Sequence, residues 1–292
     1  MKLSHIELGP FELYSIETGR FRLDGGAMFG VVPKTLWSKR IAPDEKNRIP
    51  MAMRCLLIRS QNTGRVYLVD NGIGTKFTEK FEHIYGVDHH HSSLADSLEK
   101  HGFQTGDVTD LIFTHLHFDH CGGTTAYDEN EELFHVFDGA AYHVTKPQME
   151  TAQHPNAREK ASFLPDNIQP ISNYEHLNLI DGHHQFEEGL ENYLVNGHTL
   201  GQQLIKIEAA GNTLIFGGDL LPTAHHVPLP WVMAFDMYPS ETLKEKKEFL
   251  NLAAEHEWYI FMEHDADNEL ISIQRNGKRF EAETGLTLQN LG

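Results

Sequence analysis

The chain has 292 residues, which is enough for one large domain or two small ones with a substantial apolar core. Hydrophobic residues make up 40% of it and charged residues 23%, a composition that excludes intrinsic disorder. Asp and Glu outnumber Lys and Arg by 42 to 24, and the net charge of -18 argues against nucleic acid or an anionic membrane as a partner.

Strand and helix patterns alternate along the chain. Strands are predicted at 11–16, 54–59, 66–69, 111–113, 133–137, 203–207, 213–216 and 258–261. Helices are predicted at 93–101, 147–153 and 240–256, the last with Ser240 as its cap. Turn residues at 61–64 and 209–212 predict two β-hairpins and therefore antiparallel pairs. Strands mixed with helices in this way predict a layered α/β (α+β) fold.

The chain shows no internal boundary. Without a repeat or a low-complexity linker, a single domain over residues 1–292 is predicted. Residues 25–50 carry scattered apolar side chains with weak periodicity and are predicted to form a loop or arm. Because this arm is apolar around Trp37, packing of the arm against a second subunit, and hence a homodimer, is a hypothesis.

Cysteine usage and hydropathy bear on the compartment. There are two cysteines, the N-terminus does not resemble a secretory signal, and no apolar run approaches the roughly 20 residues of a membrane-spanning helix. A cytoplasmic location away from the membrane is therefore expected. The unusual count is 20 histidines, since histidine is the commonest metal ligand in proteins.

The segment that follows the predicted strand at 111–113 carries the strongest chemical signal. Three histidines and an aspartate fall within six residues: His115, His117, Asp119 and His120. His115 and His117 are two apart in an extended chain and project to the same side, while a turn after them lets Asp119 and His120 reach a second point nearby. Two neighbouring cation sites are predicted.

Three further ionisable residues follow β-like runs elsewhere, namely His198, Asp219 and His264. A rigid strand is a good support for a ligand at the edge of a core. Either histidine alone would more often be a hydrogen-bonded core residue, but the whole set predicts two divalent metal ions. Imidazole together with carboxylate favours zinc, with iron, manganese and cobalt as alternatives.

The order His-x-His-x-Asp-His, His, Asp, His resembles the metallo-β-lactamase superfamily over essentially the whole chain. The resemblance implies an αββα sandwich, with His115, His117 and His198 on one metal, Asp119, His120 and His264 on the other, and Asp219 bridging them. The oxygen-reducing di-iron members have a glutamate at position 117, so the histidine here favours hydrolysis. Many true β-lactamases have a cysteine at position 219, so antibiotic hydrolysis is not expected.

Segments outside these ligands carry a closer resemblance: FGVVPKTLWS at 29–38, DNGIG at 70–74, LPTAHH at 221–226 and WVMA at 231–234. They are similar to the N-acylhomoserine lactonases, also called quorum-quenching lactonases. This implies a hydrolase whose small-molecule substrate is a lactone. Some members of that branch bind the substrate carbonyl with a tyrosine three positions after the bridging aspartate. Pro222 stands there in this chain, and His226 is the candidate to replace the tyrosine.

The implied chemistry is attack on an ester or lactone carbonyl by a hydroxide held between the two metals. Asp119 is the candidate for orienting that nucleophile and delivering a proton to the leaving alkoxide. Apolar side chains are expected to line a pocket for an acyl chain: Phe29, Trp37, Leu229, Trp231 and Met233.

Two alternatives remain open, an arylesterase or phosphotriesterase on the same centre and a non-catalytic metal-binding or sensing protein. A glyoxalase-type thioesterase is disfavoured, because no basic cluster for a glutathione carboxylate is visible in the sequence. Asp70 is predicted either to support a ligand histidine or to cap a turn. Residues 89–91, three consecutive histidines, are predicted to form a solvated loop, and Cys55 and Cys121 to be buried thiols.

Overall fold

A computed structural model of the protein describes residues 4–90 and 92–291. In chain order, the first part forms β1 (His5–Leu8), β2 (Phe11–Asp24), α1 (Gly25–Phe29), α2 (Lys34–Trp37), β3 (Arg48–Ser60), β4 (Val66–Val69), α3 (Glu79–Tyr85), α4 (Leu94–Lys100), β5 (Asp110–Ile112), α5 (Phe118–Cys121), β6 (Thr125–Tyr127), β7 (Leu133–His135), β8 (Ala141–Thr145), α6 (Lys146–Gln153), α7 (Pro165–Ser172) and β9 (Leu177–Ile180). The second part forms β10 (Gln185–Glu187), β11 (Leu190–Val195), β12 (Gln202–Ala209), β13 (Asn212–Phe216), α8 (Pro239–Glu255), β14 (Tyr259–Phe261), β15 (Leu270–Asn276) and β16 (Arg279–Leu286).

Within the described residues the strands form two seven-stranded sheets and one small hairpin, β6–β7. The first sheet has the order β1-β2-β3-β4-β5-β8-β9, and its strands from β4 onward are parallel. The second sheet runs from β10 to β16 in sequence order and is antiparallel except where β13 pairs with β14. Parallel neighbours matter for function because their C-terminal ends meet at the same edge of a sheet.

The alternation of side chains along β3 shows how the layers are held together. Leu56 and Ile58 face the second sheet and pack in a cluster that contains Phe216 of β13. Cys55 and Leu57 point the other way, into a cluster covered by α4, α6 and α7. Because both faces of β3 are buried, its sequence is almost continuously apolar.

The second sheet is covered in the same manner. Ile215 and Ile260 face away from the first sheet and pack against Phe249 and Leu250 of α8. The order of layers is therefore helix, sheet, sheet, helix, which confirms the predicted αββα sandwich. No helix in the described ranges is both long and apolar enough to span a bilayer.

Most of the predicted elements are present. All eight predicted strands overlap observed strands, and the turns at 61–64 and 209–212 join the antiparallel pairs β3–β4 and β12–β13. The predicted cap of the last helix was wrong, since Tyr238 is the N-cap of α8 and Pro239 occupies its first position. Proline favours that position because its ring fixes φ near the helical value and no amide hydrogen is needed there.

The segment at 25–50, predicted to be a loop or arm, contains short regular elements as well as loop. Besides loop it includes α1, α2 and the start of β3, and several of its apolar side chains belong to a buried cluster. The rings of Phe29 and Trp37 stack with centroids 5.4 Å apart, and Trp37 is 1% exposed. A Cβ added at Gly25 would lie 2.5 Å from the Trp37 ring, so that close contact requires glycine. Trp37 itself therefore offers no apolar surface to a second subunit, but Val31 and Leu36 of the same segment are exposed, so the homodimer stays a hypothesis.

Candidate metal centre

The seven side chains predicted as ligands all lie just beyond the C-terminal ends of strands. His115 and His117 follow β5, and Asp119 and His120 lie in the one-turn helix α5; His198 follows β11, Asp219 lies in a short 3-10 helix after β13, and His264 follows β14. All seven are buried. The fold thus brings together residues separated by as much as half of the chain.

The first cluster contains His115, His117, His198 and Asp219. His117 Nδ1 lies 3.0 Å from His115 Nε2 and 3.2 Å from His198 Nε2. Asp219 Oδ2 lies 3.1 Å from His198 Nε2 and 3.9 Å from His115 Nε2. A tetrahedral zinc ion about 2.0–2.1 Å from each nitrogen places its ligand atoms roughly 3.3 Å apart, so this spacing fits one ion.

The second cluster contains Asp119, His120 and His264. The Nε2 atoms of His120 and His264 are 3.1 Å apart, and Asp119 Oδ2 lies 3.9 and 3.7 Å from them. Asp219 again takes part, because its Oδ1 lies 3.2 Å from His264 Nε2. The Asp219 carboxylate therefore lies between the clusters.

Asp219 Oδ1 provides a test of whether these residues fit a cation. It is buried and has no hydrogen-bond partner in the part of the chain that the structure describes. A buried carboxylate oxygen in that state is costly unless a positive charge compensates it. Imidazole nitrogens and carboxylate oxygens that converge at these distances fit two adjacent divalent metal ions.

The outer ring nitrogen of each histidine meets an oxygen that can accept its hydrogen. The partners are Thr114 Oγ1 for His115 (3.0 Å), Glu159 Oε1 for His117 (3.3 Å), Asp70 Oδ2 for His120 (3.0 Å), Asp236 Oδ1 for His198 (3.1 Å) and the Ala52 carbonyl for His264 (2.9 Å). An acceptor at the outer nitrogen holds the proton there and leaves the lone pair of the inner nitrogen directed at the centre.

Asp70 contacts a predicted ligand histidine, His120, which is one of the two roles predicted for it. Besides the contact with His120, its carboxylate accepts hydrogen bonds from the Thr114 amide at 2.7 Å and the Thr114 hydroxyl at 2.6 Å. Glu263 Oε2 lies 3.1 Å from the same His120 nitrogen. Burial raises the pKa of Glu263 to about 7, against the opposing effect of His120. Asp70 thus holds the imidazole by a hydrogen bond, whereas Glu263 lies beside it without a hydrogen-bond partner among the described residues.

The electrostatics of the centre favour positive charge. Burial acts to lower the pKa of His198, but Asp219 and Asp236 outweigh it and raise that pKa to about 10. Burial acts to raise the pKa of Asp219, but His198, His264 and His120 hold it well below its usual range. A pocket that keeps a buried carboxylate ionised in this way is suited to a cation.

A cavity of about 360 Å³ opens onto the centre, with His117, Asp119, His198, Asp219 and His264 in its wall. Arg22, Arg48 and Arg158 also line it, although they are far apart in the sequence. The absence of a visible basic cluster in the sequence was therefore misleading, because the fold assembles one. Arg48 is paired with Asp44 at 2.9 Å.

The predicted acyl pocket needs correction. Phe29 and Trp37 are buried within the protein, and Leu229 and Trp231 line a different groove, beside Arg40 and Phe280. Of the five predicted residues, Met233 is the one whose side chain lines the cavity at the centre.

An apolar pocket of about 210 Å³ lies next to that cavity and shares three wall residues with it, Tyr85, Phe118 and Ala161. Its other apolar walls include Phe77, Phe81 and Leu164. Phe77 and Phe81 are four apart around the start of α3, and no sequence pattern connected this helix with the metal motif.

The prediction that His226 binds the substrate is contradicted by its surroundings. Its side chain is 1% exposed, Nε2 donates to the Met28 carbonyl at 2.8 Å, and Nδ1 accepts from the Thr223 hydroxyl at 2.8 Å. Its ring stacks on Phe29 at 4.8 Å, and burial lowers its pKa to about 3. With both nitrogens engaged, His226 joins α1 to the 223–226 segment and has no group left for a substrate.

The remaining histidine and cysteine predictions have mixed outcomes. Cys55 and Cys121 are both free and buried, as predicted. In the histidine tract, His90 is exposed, but the His89 ring bonds to the carbonyls of Thr18 at 3.0 Å and Gly74 at 3.1 Å, so the solvated loop was wrong for that residue. His91 lies outside the described residues.

Sequence reasoning missed several residues that hold the histidines. Thr114 and Glu263 directly precede His115 and His264, so their position next to a predicted ligand was an available signal. Glu159 and Asp236 lie about 40 residues from their partners, in segments without any local motif. Only the tertiary structure reveals these two.

An αββα sandwich with a histidine and aspartate centre at the ends of its strands defines the class of the metallo-β-lactamase fold. The chain belongs to the metallo-beta-lactamase superfamily, since the sequence profile of that family matches residues 52–264, well over half of the chain.

Individual proteins agree with this membership. An N-acyl homoserine lactonase of Bacillus thuringiensis is 24% identical over 179 residues, which cover 60% of this chain and 63% of the relative. The chain thus spans less than two thirds of the length of that curated relative. A solved structure described as "a probable metal-dependent hydrolase from Staphylococcus aureus" has a TM-score of 0.86 at 28% identity, covering 97% of this chain and all of that one. AidC, a dizinc quorum-quenching lactonase in complex with a product, has a TM-score of 0.77 at 22% identity, covering 97% of each chain, and shows the shared fold.

Proposed function

We propose that this protein is a metal-dependent hydrolase that opens lactones of the N-acylhomoserine type with two divalent metal ions. The observation that carries the proposal is the Asp219 carboxylate, whose two oxygens each lie within 3.2 Å of a histidine from a different cluster. One carboxylate between two nitrogen-rich clusters is the arrangement expected of a bridging ligand.

The proposed ligands of the first ion are His115, His117 and His198, those of the second are Asp119, His120 and His264, and Asp219 is shared. Zinc is the proposed metal, because it accepts imidazole and carboxylate ligands in tetrahedral geometry. When bound, such ions make water ionisable near neutral pH and polarise a carbonyl group.

Asp119 is the proposed proton carrier. Its carboxylate lines the cavity and lies 3.7 Å from His264 Nε2, next to the position where the substrate would react. A carboxylate there can take up the proton released during attack and deliver it to the ring oxygen as the carbon–oxygen bond breaks. Since an alkoxide is a poor leaving group, this transfer matters more for lactones than for aryl esters.

The substrate class is supported by the apolar pocket beside the centre. Phe77, Phe81 and Leu164 can cover an acyl chain while the lactone ring occupies the neighbouring cavity. Several curated relatives are named N-acyl homoserine lactonase, and by that likeness we propose quorum quenching as the biological outcome.

The direct test is hydrolysis of a long-chain N-acylhomoserine lactone by zinc-loaded protein, followed as acid release at constant pH. Asp219→Asn keeps the size of the side chain but removes the bridging charge, and we expect it to lose both turnover and one equivalent of metal. Asp267→Asn, at an exposed position, serves as the matched control and should behave as the wild type.

The possible negative results separate the alternatives. Full metal content with turnover of aryl esters or phosphotriesters but not of lactones would favour an arylesterase or phosphotriesterase on the same centre. Full metal content without turnover of any of the three substrate classes would favour a non-catalytic metal-binding or sensing protein.

A further inference from the structure

The oxygen that becomes negative during attack on a carbonyl is stabilised further by a hydrogen-bond donor, and neither Pro222 nor His226 supplies one. Pro222 has no donor, and both ring nitrogens of His226 are engaged away from the cavity. The donor must therefore come from another part of the cavity wall. The described part of that wall offers two hydroxyl groups, those of Tyr85 and Ser162, and the guanidinium groups of three arginines, Arg22, Arg48 and Arg158. Of these five side chains, Tyr85 is the one that also lines the apolar pocket proposed for the acyl chain.

Tyr85 lies between the cavity of the centre and the apolar pocket, since it lines both. Its ring contacts Phe118, the residue between His117 and Asp119, with centroids 5.0 Å apart. Burial and the negative charge of Asp119 raise the pKa of Tyr85. Its hydroxyl makes no hydrogen bond with the described part of the chain. A half-buried hydroxyl in the same cavity wall as Asp119 and without a protein partner is free to bind a ligand.

The position of Tyr85 is fixed from two sides. Its ring packs against Phe77 at 5.6 Å as well as Phe118, so the aromatic cluster restricts its rotation. Tyr85 is also the last residue of α3, where Arg48 donates to the carbonyls of His83 at 2.9 Å and Ile84 at 2.7 Å. A guanidinium on the final carbonyls holds the end of the helix in place. The hydroxyl is thus presented by a rigid support rather than by a mobile loop.

We propose that the Tyr85 hydroxyl donates a hydrogen bond to the carbonyl oxygen of the bound lactone and thereby acts as a catalytic residue. This proposal rests on the proposed function. As the nucleophile adds to the carbonyl carbon, the π electrons of the C=O bond move onto the oxygen, and the hydrogen bond stabilises the negative charge that develops there. Tyr85 keeps its proton throughout, so the proton balance of the reaction is still carried by Asp119.

The test compares Tyr85→Phe with the control Tyr127→Phe and with Ser162→Ala, a variant of the competing hydroxyl. Ser162→Ala removes the other hydroxyl of the cavity wall, and Tyr127→Phe removes an exposed phenol that bonds to Asp166 away from the centre. We expect Tyr85→Phe to lower kcat about 100-fold with little change in KM, the usual effect of losing one oxyanion donor. The control Tyr127→Phe should stay within about twofold of the wild type, and Ser162→Ala should lose less than Tyr85→Phe.

A comparison of substrates distinguishes an oxyanion donor from a general acid. Loss of a donor to the carbonyl oxygen should slow a lactone and a 4-nitrophenyl ester by the same factor, with an unchanged pH profile. A selective loss on the lactone would show that Tyr85 protonates the leaving group, and would overturn the proposal. An equal loss in Ser162→Ala with normal turnover in Tyr85→Phe would overturn it as well.

A binding measurement separates failure of this proposal from failure of the proposed function. The ring-opened N-acylhomoserine product carries a carboxylate where the carbonyl was, and calorimetry with zinc-loaded protein should show about tenfold weaker binding to Tyr85→Phe than to the wild type. If the wild type hydrolyses no lactone, the proposed function fails. If the wild type turns over and binds product but Tyr85→Phe matches it in both respects, with equal metal content and Tm, the role of Tyr85 alone is refuted.

Discussion

Replacing Asp236 with alanine tests how the centre is supported. Asp236 Oδ1 accepts from His198 Nδ1 at 3.1 Å, and Oδ2 accepts from the Met233 amide at 3.1 Å. In Asp236→Ala the buried His198 Nδ1 loses its acceptor, so the ring proton is free to move to Nε2 and remove the inner lone pair. A hydrogen bond to a charged group contributes about 1.5–3 kcal/mol, which corresponds to roughly 10- to 100-fold in metal affinity, the usual effect of such outer partners.

The assay is competition of the purified protein with a chromophoric zinc chelator, together with kcat/KM on the same samples. Asp267→Ala is the control, because Asp267 is exposed and carries the same charge. We expect the dissociation constant for one zinc ion to be about 10- to 100-fold higher in Asp236→Ala than in the wild type. The control should have the wild-type dissociation constants. Wild-type zinc affinity in Asp236→Ala would refute the reasoning that His198 depends on this carboxylate.

Three further predictions follow from the structure. A Cβ at Gly122 would lie 2.0 Å from the Ile73 carbonyl oxygen, so Gly122→Ala should lower the free energy of unfolding, measured by urea titration, by about 1–3 kcal/mol or more. Gly106 has open space around it, so Gly106→Ala should not lower that free energy. Burial lowers the pKa of Lys246 to about 7 from its ordinary value of 10.5, so the unfolded chain binds more protons between these values. The stability of metal-free protein should therefore rise with pH from 7 to 10, by at most about 1.4 kcal/mol per pH unit relative to Lys246→Met, and a difference independent of pH would contradict this. Chelation of divalent ions should lower Tm reversibly, since ligand at 100 times its Kd stabilises the folded state by about 2.7 kcal/mol; an unchanged Tm would count against bound metal.

Local patterns in the sequence were sufficient for the layered fold and for the group of residues that converges. The strand periodicity and the two hairpin turns depend on neighbouring residues, and all of the predicted strands are found. His115 and His117 could be paired because residues two apart in an extended chain project to the same side. The seven predicted ligands do meet in two adjoining clusters, although their role in metal binding stays a prediction.

The errors concern residues whose environment is set by distant parts of the chain. The two short helices within the predicted loop or arm at 25–50 were missed because helices of four or five residues are too short to show a period. His226 was assigned to the substrate because it follows Asp219 closely, but hydrogen bonds to Met28 and Thr223 turn its ring into the core. Proximity in sequence does not determine which way a side chain faces once helices pack over it.

The sequence by itself determined that five histidines and two aspartates lie at the ends of strands in an α/β protein. The tertiary structure decided how those residues are supported and what surrounds them: Asp236 and Glu159 behind the histidines, three arginines around the cavity, and Tyr85 in its wall. The physical reason is that a local pattern reflects the geometry of a single helix or strand. Contacts between elements depend instead on how whole layers pack, and no short stretch of sequence carries that information.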